Sequence, residues 1–88
     1  MKTSFSQTFA RDLKKIKDET LLARVAWVIG ELEAAESLAD INQLKKLAGY
    51  RHAYRIRIGD YRLGIYVSGD TVEFVRFLHR KEVYRYFP

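Results

Sequence analysis

Residues 54–67 read Tyr54-Arg55-Ile56-Arg57-Ile58-Gly59-Asp60-Tyr61-Arg62-Leu63-Gly64-Ile65-Tyr66-Val67. Apolar residues alternate with basic or small residues on both sides of Gly59-Asp60, which is typical of two strands joined by a two-residue hairpin loop. A second Gly-Asp pair at residues 69–70 predicts another hairpin, followed by a third strand that ends near Leu78. The second half of the chain therefore predicts an antiparallel sheet.

The first half has the period of amphipathic helices. Phe9, Leu13 and Ile16 recur at helical spacing, and Asp18 precedes a longer apolar series over residues 21–32. These segments predict an antiparallel helix pair. Packed on one face of a small, mainly antiparallel sheet, the pair gives an α+β fold.

Two shorter segments flank this arrangement. Residues 1–5 predict a further edge strand. Asp40 and Gln43 have the spacing of a capping box, which predicts a short turn of helix through Leu47 that ends at Gly49.

Length and composition limit the possible classes of protein. The 88 residues suit one domain over 1–88, and 48% hydrophobic content is that of a globular chain. The absence of cysteine excludes a disulfide scaffold, a thiolate zinc site and a cysteine nucleophile. With two histidines and no apolar run near 20 residues, we expect no cofactor, no metal, no membrane segment and a cytoplasmic location.

Positive charge is concentrated in the second half. The net charge is +5, with six basic and seven acidic residues in 1–44 but ten basic and four acidic residues in 45–88. A basic half predicts a polyanionic partner, either nucleic acid or an acidic protein segment. The alternative is a solvated basic surface.

The hairpin fixes which side chains share a face. A loop at 59–60 places Arg57 opposite Arg62 and Arg55 opposite Gly64, with all three arginines on the face away from the helices. Directly opposed like charges cost stability, so the cluster indicates a function rather than a contribution to folding. The alternative is a solvated face whose arginines pair with acids from elsewhere.

The same register can be continued across the second loop. It places Phe77 beside Arg62, with His79 just beyond on the arginine face. It also places Arg76 on the core face near Leu63. Either a bulge shifts the register there, or Arg76 extends out at the sheet margin.

These motifs resemble a known family. The order Leu44-Lys45-Lys46-Leu47, then residues 54–62, then His79-Arg80-Lys81-Glu82-Val83-Tyr84-Arg85 is similar to the RelE branch of the RelE/ParE toxin superfamily. The resemblance spans the chain and implies a single RelE-like toxin domain with the microbial RNase fold. It also implies ribosome-dependent cleavage of mRNA in the A site, by attack of the 2′-hydroxyl on the adjacent phosphate. The implied partners are mRNA on the ribosome and a RelB-like antitoxin.

The resemblance also assigns roles to residues. It implies catalytic positions at Arg55, Arg57, Arg62, at Arg80 or alternatively Lys81, and at Tyr84. The RelE prototype has lysine at the first two positions, and this departure matters because arginine does not deprotonate and cannot act as a general base. The arginines are instead suited to bind phosphate and to stabilise its transition state.

A proton acceptor is then required, and His79 is the candidate because its ordinary pKa suits proton transfer at neutral pH. Glu73 and Glu82 are fallback bases, and Tyr84 either donates a proton to the leaving 5′-oxygen or stacks on a base. A structural role for His79, as a surface or capping residue, is the alternative. Lys45, Lys46 and Arg51 are either phosphate contacts or solvated charges, and Lys81 is a further candidate for RNA binding. Phe77 is either an accessible platform on which a base stacks or a position that binds a partner.

Three functions are compared. The first is the ribosome-dependent endoribonuclease, acting without metal and neutralised by an acidic or amphipathic antitoxin segment that lies across the basic sheet face. The second is a ParE-like inhibitor that binds DNA gyrase without chemistry. The third is a non-catalytic module that binds RNA or antitoxin. Trp27, one position off the helical stripe, is expected to pack structurally or to line an antitoxin groove.

Overall fold

The computed structural model describes residues 1–88 as two layers. The elements are, in chain order, β1 (Lys2–Phe5), α1 (Gln7–Lys14), α2 (Glu19–Ala34), a 3₁₀ turn (Leu38–Asp40), β2 (Leu44–Lys46), β3 (Ala53–Ile58), β4 (Tyr61–Ser68), β5 (Thr71–His79) and α3 (Val83–Tyr86). The sheet has the order β1-β5-β4-β3-β2. Only β1 runs parallel to its neighbour. The predicted α+β fold and the edge strand at the N-terminus are confirmed.

Side-chain caps define where the two helices begin. The Ser6 hydroxyl accepts the N–H of Phe9 at 3.1 Å ahead of α1. The Asp18 carboxylate accepts the N–H groups of Thr20 and Leu21 ahead of α2. Each cap satisfies backbone donors that the first helical turn leaves free. None of the three helices combines the length and the apolar content that a membrane-spanning helix needs.

The main core lies between the helices and one face of the sheet. It contains 13 buried residues, contributed by α1, α2, the loop after α2 and strands β3 to β5. Its strand residues follow the alternation of the sequence, with Ile56 and Ile58 from β3 beside Leu63, Ile65 and Val67 from β4. The period-2 pattern therefore buries the face that it predicts.

The predicted hairpin register is confirmed in detail. Arg57 lies opposite Arg62 and Arg55 opposite Gly64. Across the second loop, Ile65 lies opposite Phe74 as predicted, but Gly64 lies opposite Arg76. Val75 is thus an extra residue on β5, which is a β-bulge. The bulge is the first of the two explanations offered for Arg76, and it reverses the face of every later β5 residue.

The face of the sheet away from α1 and α2, here called the tail face, carries a small second core. Val83 and Phe87, from and just after α3, are buried against Ala53. The Phe87 ring lies directly over Gly64, where an added Cβ would come within 2.7 Å of the ring. Only glycine allows the tail to pack this closely at the centre of the sheet.

One element is wrong in the sequence prediction. Residues 44–46 form strand β2 on the outer edge of β3 and not a turn of helix. Leu44 lies opposite Ile56 and packs against the main core, so burial of the leucine together with strand pairing outweighs the local capping pattern. The chain enters β2 through Gln43, which has a positive φ of 63°.

Candidate nucleic-acid interface

Four guanidinium groups mark the end of the tail face nearest the 59–60 loop. Arg55 and Arg57 come from β3, Arg62 from β4, and Arg80 from the turn after β5. We call these four residues the arginine cluster. Arg57 and Arg62 are directly opposed across two strands, which places their Cβ atoms about 5 Å apart. The predicted gathering of Arg55, Arg57 and Arg62 on one face is confirmed.

Arg62 is the most constrained member of the cluster. Its Nη1 donates hydrogen bonds to the carbonyl oxygens of Gly59 and Tyr61, both at 3.0 Å. Partial burial and the adjacent positive charges of Arg55 and Arg57 lower the pKa of Arg62 below its ordinary value. A guanidinium nevertheless stays protonated in proteins. The site is therefore a fixed cation surrounded by cations, and an anion placed there relieves their mutual repulsion.

Carboxylates are nearly absent from the cluster. Arg55, Arg57 and Arg62 form no ion pair, and Arg80 approaches Asp60 only at 3.9 Å between two exposed side chains. The Nε of Arg55 is buried and has no hydrogen-bond partner. Buried donors are normally satisfied, so the fold leaves Arg55 without the internal acceptor that a structural arginine would have.

Backbone and apolar contacts bring Arg80 and Tyr84 to this site. The N–H of Arg80 donates to the carbonyl of Asp60 at 2.7 Å, which joins the turn after β5 to the hairpin loop. Val83 and Phe87 anchor α3 on the tail face, and Tyr84 lies between them in sequence with 59% of its surface exposed. The phenol is close enough to Arg62 to act on its pKa, in the direction that raises it.

His79 is not on the arginine face, and that expectation is wrong. Because of the bulge, His79 lies opposite Tyr61, and the two rings meet edge to face with centroids 5.5 Å apart. His79 lines a cleft of about 190 Å³ on the helix side, together with Asp12 and Lys15 of α1. Its Nδ1 accepts the N–H of Lys81 at 3.1 Å, which is the local capping role named as the alternative. Catalysis by His79 stays a prediction without geometric support from the cluster.

Phe77 is likewise displaced by the bulge. It lies opposite Leu63 in the main core, 1% exposed, and stacks on Tyr61 with centroids 5.1 Å apart. The expectation that Phe77 is an accessible platform for a base is wrong. Its ring instead closes the end of the core below the site.

The remaining basic candidates separate by position. Lys45 lies opposite Arg55 and extends the cluster across β2, whereas Lys46 alternates to the other side. Arg51 precedes the first residue of β3 and lies at the far end of the sheet from the 59–60 loop. Lys81 is exposed in the turn after β5. The structure thus joins Lys45 to the cluster and leaves Arg51 apart from it.

The sequence analysis did not identify Asp12 as the carboxylate that binds Arg76. Asp12 on α1 is buried and accepts two hydrogen bonds from Arg76, at 2.8 and 3.1 Å, and a third from the N–H of Phe77 at 2.9 Å. Its only sequence signal is an acid in the otherwise basic run Arg11-Asp12-Leu13-Lys14-Lys15. Of the fallback bases, Glu82 lines the His79 cleft, and Glu73 lies opposite Tyr66 at the other end of β5.

The chemistry available at the cluster is that of phosphate binding. Guanidinium groups present paired donors that match phosphate oxygens, and backbone contacts hold Arg62 and the Arg80 turn in place. Nowhere in the chain do three or more His, Asp or Glu side chains come together as metal ligands. The class of protein is therefore a small α+β domain with a cationic surface on which Arg55, Arg57 and Arg62 have no carboxylate partner.

Comparisons with known proteins place this class. A chain in the crystal structure of the RelB–RelE antitoxin–toxin complex from Methanococcus jannaschii superposes with a TM-score of 0.82 and 44% identity, covering 97% of this chain and 99% of that one. The archaeal RelE–RelB complex from Pyrococcus horikoshii contains the same fold, with a TM-score of 0.74, 19% identity, and coverage of 93% and 97%. The fold is RelE-like.

Two sequence matches extend from the fold to the family. Toxin RelE3 of Methanocaldococcus jannaschii is 46% identical over 89 aligned residues, which cover 100% of both sequences. The family model described as the ParE toxin of the type II toxin–antitoxin system, parDE, matches residues 4–84. The chain belongs to the RelE/ParE superfamily and is a toxin of a type II toxin–antitoxin system.

Proposed function

We propose that this toxin is a ribosome-dependent endoribonuclease that cleaves mRNA in the A site. The observation that carries the proposal is the arginine cluster, in which three of four guanidinium groups lack any carboxylate partner. A cationic surface left unneutralised in the folded chain suits an external phosphate. The mRNA substrate is bound to ribosomes, so the protein acts in the cytoplasm.

The reaction is attack of a ribose 2′-hydroxyl on the adjacent phosphate. The O2′–P bond forms as the 2′-hydroxyl loses its proton to water, and the P–O5′ bond breaks as the 5′-oxygen gains a proton, which leaves a 2′,3′-cyclic phosphate and a 5′-hydroxyl end. Charge builds on the phosphate oxygens in the transition state, where Arg62, held by two backbone carbonyls, and the exposed Arg80 side chain supply donors. The bound ribosome orients the 2′-oxygen in line with the leaving group, a contribution that this open surface cannot make alone.

Tyr84 is proposed as the proton donor to the leaving 5′-oxygen. It is the only titratable residue of the exposed α3 turn that acts on Arg62, and its ring is accessible. Tyr84→Phe removes the proton and keeps the ring, whereas Tyr84→Ala removes both. A large loss of cleavage with phenylalanine supports proton donation. Loss with alanine alone assigns the ring to base stacking.

The experiment measures cleavage of mRNA on programmed ribosomes by primer extension. Arg62→Ala is expected to lower the single-turnover rate by about 10²- to 10³-fold, as loss of one transition-state donor does. Arg51→Ala is the matched control because it removes an exposed arginine at the far end of the sheet, and we expect it to change the rate by less than about threefold. Equal effects of the two substitutions would contradict a specific role for the cluster.

The RelB-like antitoxin is the proposed partner, since the relatives above form RelB–RelE complexes. A net charge of +5, carried mainly by residues 45–88, favours an antitoxin with acidic or amphipathic segments that contact the tail face. Association should then weaken as salt rises. A complex whose affinity ignores salt would contradict this electrostatic contribution.

Gyrase inhibition is the second candidate, favoured by the description of the matching family model as a ParE toxin. A gyrase inhibitor acts by binding and does not require phosphate-directed arginines beside a tyrosine. Brief induction separates the two functions. Discrete mRNA ends support cleavage, and loss of DNA supercoiling by purified gyrase with intact mRNA supports inhibition. Neither effect would indicate a non-catalytic module that binds RNA or antitoxin.

A further inference from the structure

The turn between β5 and α3 carries Arg80 into the arginine cluster and is made of residues 80–82. Each N–H group of the turn donates a hydrogen bond. The N–H of Arg80 donates to the Asp60 carbonyl at 2.7 Å, and that of Glu82 donates to the His79 carbonyl at 2.8 Å. The N–H of Lys81 donates instead to a side-chain atom, Nδ1 of His79, at 3.1 Å. This is therefore the one turn contact that a change in a side chain removes.

No other side chain supports the backbone of this turn. Glu82, which immediately precedes α3, makes no capping hydrogen bond through its carboxylate. The Asp60 carboxylate is 3.9 Å from the Arg80 guanidinium, and both side chains are exposed, so this ion pair holds Arg80 only weakly. The position of Arg80 accordingly depends on the turn, and the order of the turn depends on His79.

The imidazole ring of His79 is itself held by aromatic contacts with the core. It meets Tyr61 edge to face, with the ring centroids 5.5 Å apart and the ring planes at 76°. Tyr61 in turn stacks on the buried ring of Phe77. The carbonyl of Tyr61 also accepts a hydrogen bond from Arg62 at 3.0 Å. Rings packed on the core therefore support both the turn that carries Arg80 and the strand that carries Arg62.

The charge of the imidazole decides whether Nδ1 accepts the hydrogen bond. Nδ1 is an acceptor only in a neutral ring whose proton is on Nε2. In a protonated ring Nδ1 carries a hydrogen and faces the N–H of Lys81, so two donors oppose each other. Imidazole is the side chain that ordinarily changes charge between about pH 5 and 8. The turn contact is thus available to the neutral ring and lost in acid.

Charged groups of both signs face the ring. Asp12 and Lys15 of α1 and Glu82 of the turn line the same cleft as His79, and Tyr61 of β4 contacts the ring. Asp12 already accepts three hydrogen bonds, so its carboxylate is committed to those donors. Lys15 and Glu82 are exposed and opposite in charge, and their effects on a proton at the ring oppose each other. The direct consequence of protonation is therefore the loss of the bond to Lys81.

We propose that His79 is a positioning residue for mRNA cleavage, whose neutral imidazole orders the turn that presents Arg80 to the phosphate. The inference rests on the cleavage function proposed above. His79 lies on the helix side of the sheet and does not reach the tail face, so it acts through the turn and not on the reacting atoms. Acidification releases the turn and lowers cleavage without any proton passing through His79.

Amide side chains distinguish the two ring nitrogens. His79→Asn places an acceptor oxygen at the position of Nδ1, whereas His79→Gln places its polar atoms near Nε2. At pH 8 the asparagine variant should keep the single-turnover cleavage rate within about twofold of wild type. The glutamine variant should lose on the order of 10-fold, the effect of one missing hydrogen bond. Thermal unfolding confirms that both variants are folded. Equal rates would overturn the proposal, and losses above about 10²-fold in both would assign His79 to proton transfer instead.

A pH profile gives a readout that a purely structural role would not change. The ratio of the wild-type rate to the His79→Asn rate removes every titration that the two proteins share. This ratio should fall about threefold from pH 8 to pH 6 as the imidazole gains a proton. His52→Asn is the matched control, because His52 is exposed at the far end of the sheet and bonds to Val67 through its backbone carbonyl. The ratio for position 52 should not change with pH. A constant ratio for position 79 would overturn the proposal.

NMR of the free toxin tests the contact without ribosomes. In ¹⁵N-labelled toxin, a scalar coupling across the hydrogen bond should join the Lys81 amide nitrogen to Nδ1 of His79 at pH 7.5 and vanish at pH 5.5. Absence of the coupling at both pH values, or its persistence at both, would overturn the proposal.

These measurements separate failure of the positioning role from failure of the cleavage function. If wild-type toxin cleaves mRNA and the asparagine and glutamine variants are equal, the positioning role is wrong and the nuclease assignment stands. If wild-type toxin leaves mRNA intact while the coupling disappears in acid, ordering of the turn by His79 stands and the nuclease assignment falls.

Discussion

The two halves of the tail face differ in whether their arginines have a carboxylate partner. At the centre and the β5 edge, Arg76 donates two hydrogen bonds to the buried Asp12 carboxylate and lies 5.4 Å from the centroid of the Tyr86 ring. At the hairpin end, Arg55, Arg57 and Arg62 have no carboxylate and face solvent or one another. The first half is covered by the tail, and the second is left open.

The contrast separates stability from function within one sheet. Where the chain needs a fixed edge, it supplies a carboxylate and an aromatic ring to neutralise and cover the cation. Where it leaves cations unpaired, the repulsion costs stability that an external anion can restore. An arginine without a carboxylate partner thus indicates a functional role, just as an arginine with one indicates a structural role.

The largest expected effect tests the covered half. Asp12→Ala removes three hydrogen bonds and leaves Arg76 uncompensated, so it should lower the free energy of unfolding by about 3–5 kcal/mol. Asp60→Ala is the control, because its carboxylate is exposed and 3.9 Å from Arg80, and it should cost less than about 1 kcal/mol. Urea unfolding of both variants measures the difference. Similar losses would remove the distinction between the two halves.

The contact between tail and sheet is the next test. Gly64→Ala places a methyl group within 2.7 Å of the Phe87 ring and should cost about 1–3 kcal/mol through overpacking. Since Tyr84 is carried by the same tail, mRNA cleavage should fall as well. Gly30→Ala in α2, which meets no atom within 4 Å, should instead stabilise by about 0.5–1 kcal/mol. A neutral Gly64→Ala would show that the tail is not held at this position.

Lysine substitutions at positions 76 and 62 should have smaller effects. The first should lower stability, and the second should lower cleavage. Arg76→Lys loses the bidentate geometry and should cost about 1–2 kcal/mol of stability. Arg62→Lys should leave the unfolding free energy within about 0.5 kcal/mol but slow mRNA cleavage. Thermal unfolding and ribosome cleavage are measured for both. An Arg62→Lys toxin that cleaves at the wild-type rate would show that charge alone suffices there.

The smallest effect is a gain. Arg57→Thr removes one of two directly opposed cations and places a strand-favouring residue on β3, so stability should rise by about 0.2–1 kcal/mol. Cleavage should fall in the same variant. If Arg57→Thr destabilises the fold, the cluster contributes to folding and the comparison between the halves fails.

Much of this arrangement can be predicted from the sequence because the residues that determine it are close together along the chain. The Gly-Asp loops and strict alternation fix the β3–β4 register, and with it the positions of Arg55, Arg57 and Arg62. Asp18 marks the start of α2 because its carboxylate caps neighbouring N–H groups. Such features depend on residues a few positions apart.

The sequence predictions are wrong where the structure depends on contacts between residues that are far apart in the chain. The bulge at Val75 adds one residue without any glycine or proline to mark it, and it moves Phe77 and His79 to the other side of the sheet. The pairing of Asp12 with Arg76 spans 64 positions, beyond any local pattern. Strand β2 is three residues long, and only its tertiary neighbour β3 distinguishes it from the helical turn that Asp40 and Gln43 suggest.

The parallel pairing of β1 with β5 has a consequence for synthesis. Residues 2–5 have no strand partner until residues 71–74 have emerged from the ribosome. The Asp12 carboxylate likewise has no ion-pair partner until Arg76 has emerged. Arg80 and Tyr84 follow after the last strand. A nascent chain therefore cannot assemble the proposed cleavage surface until residues 71–84 have emerged from the ribosome.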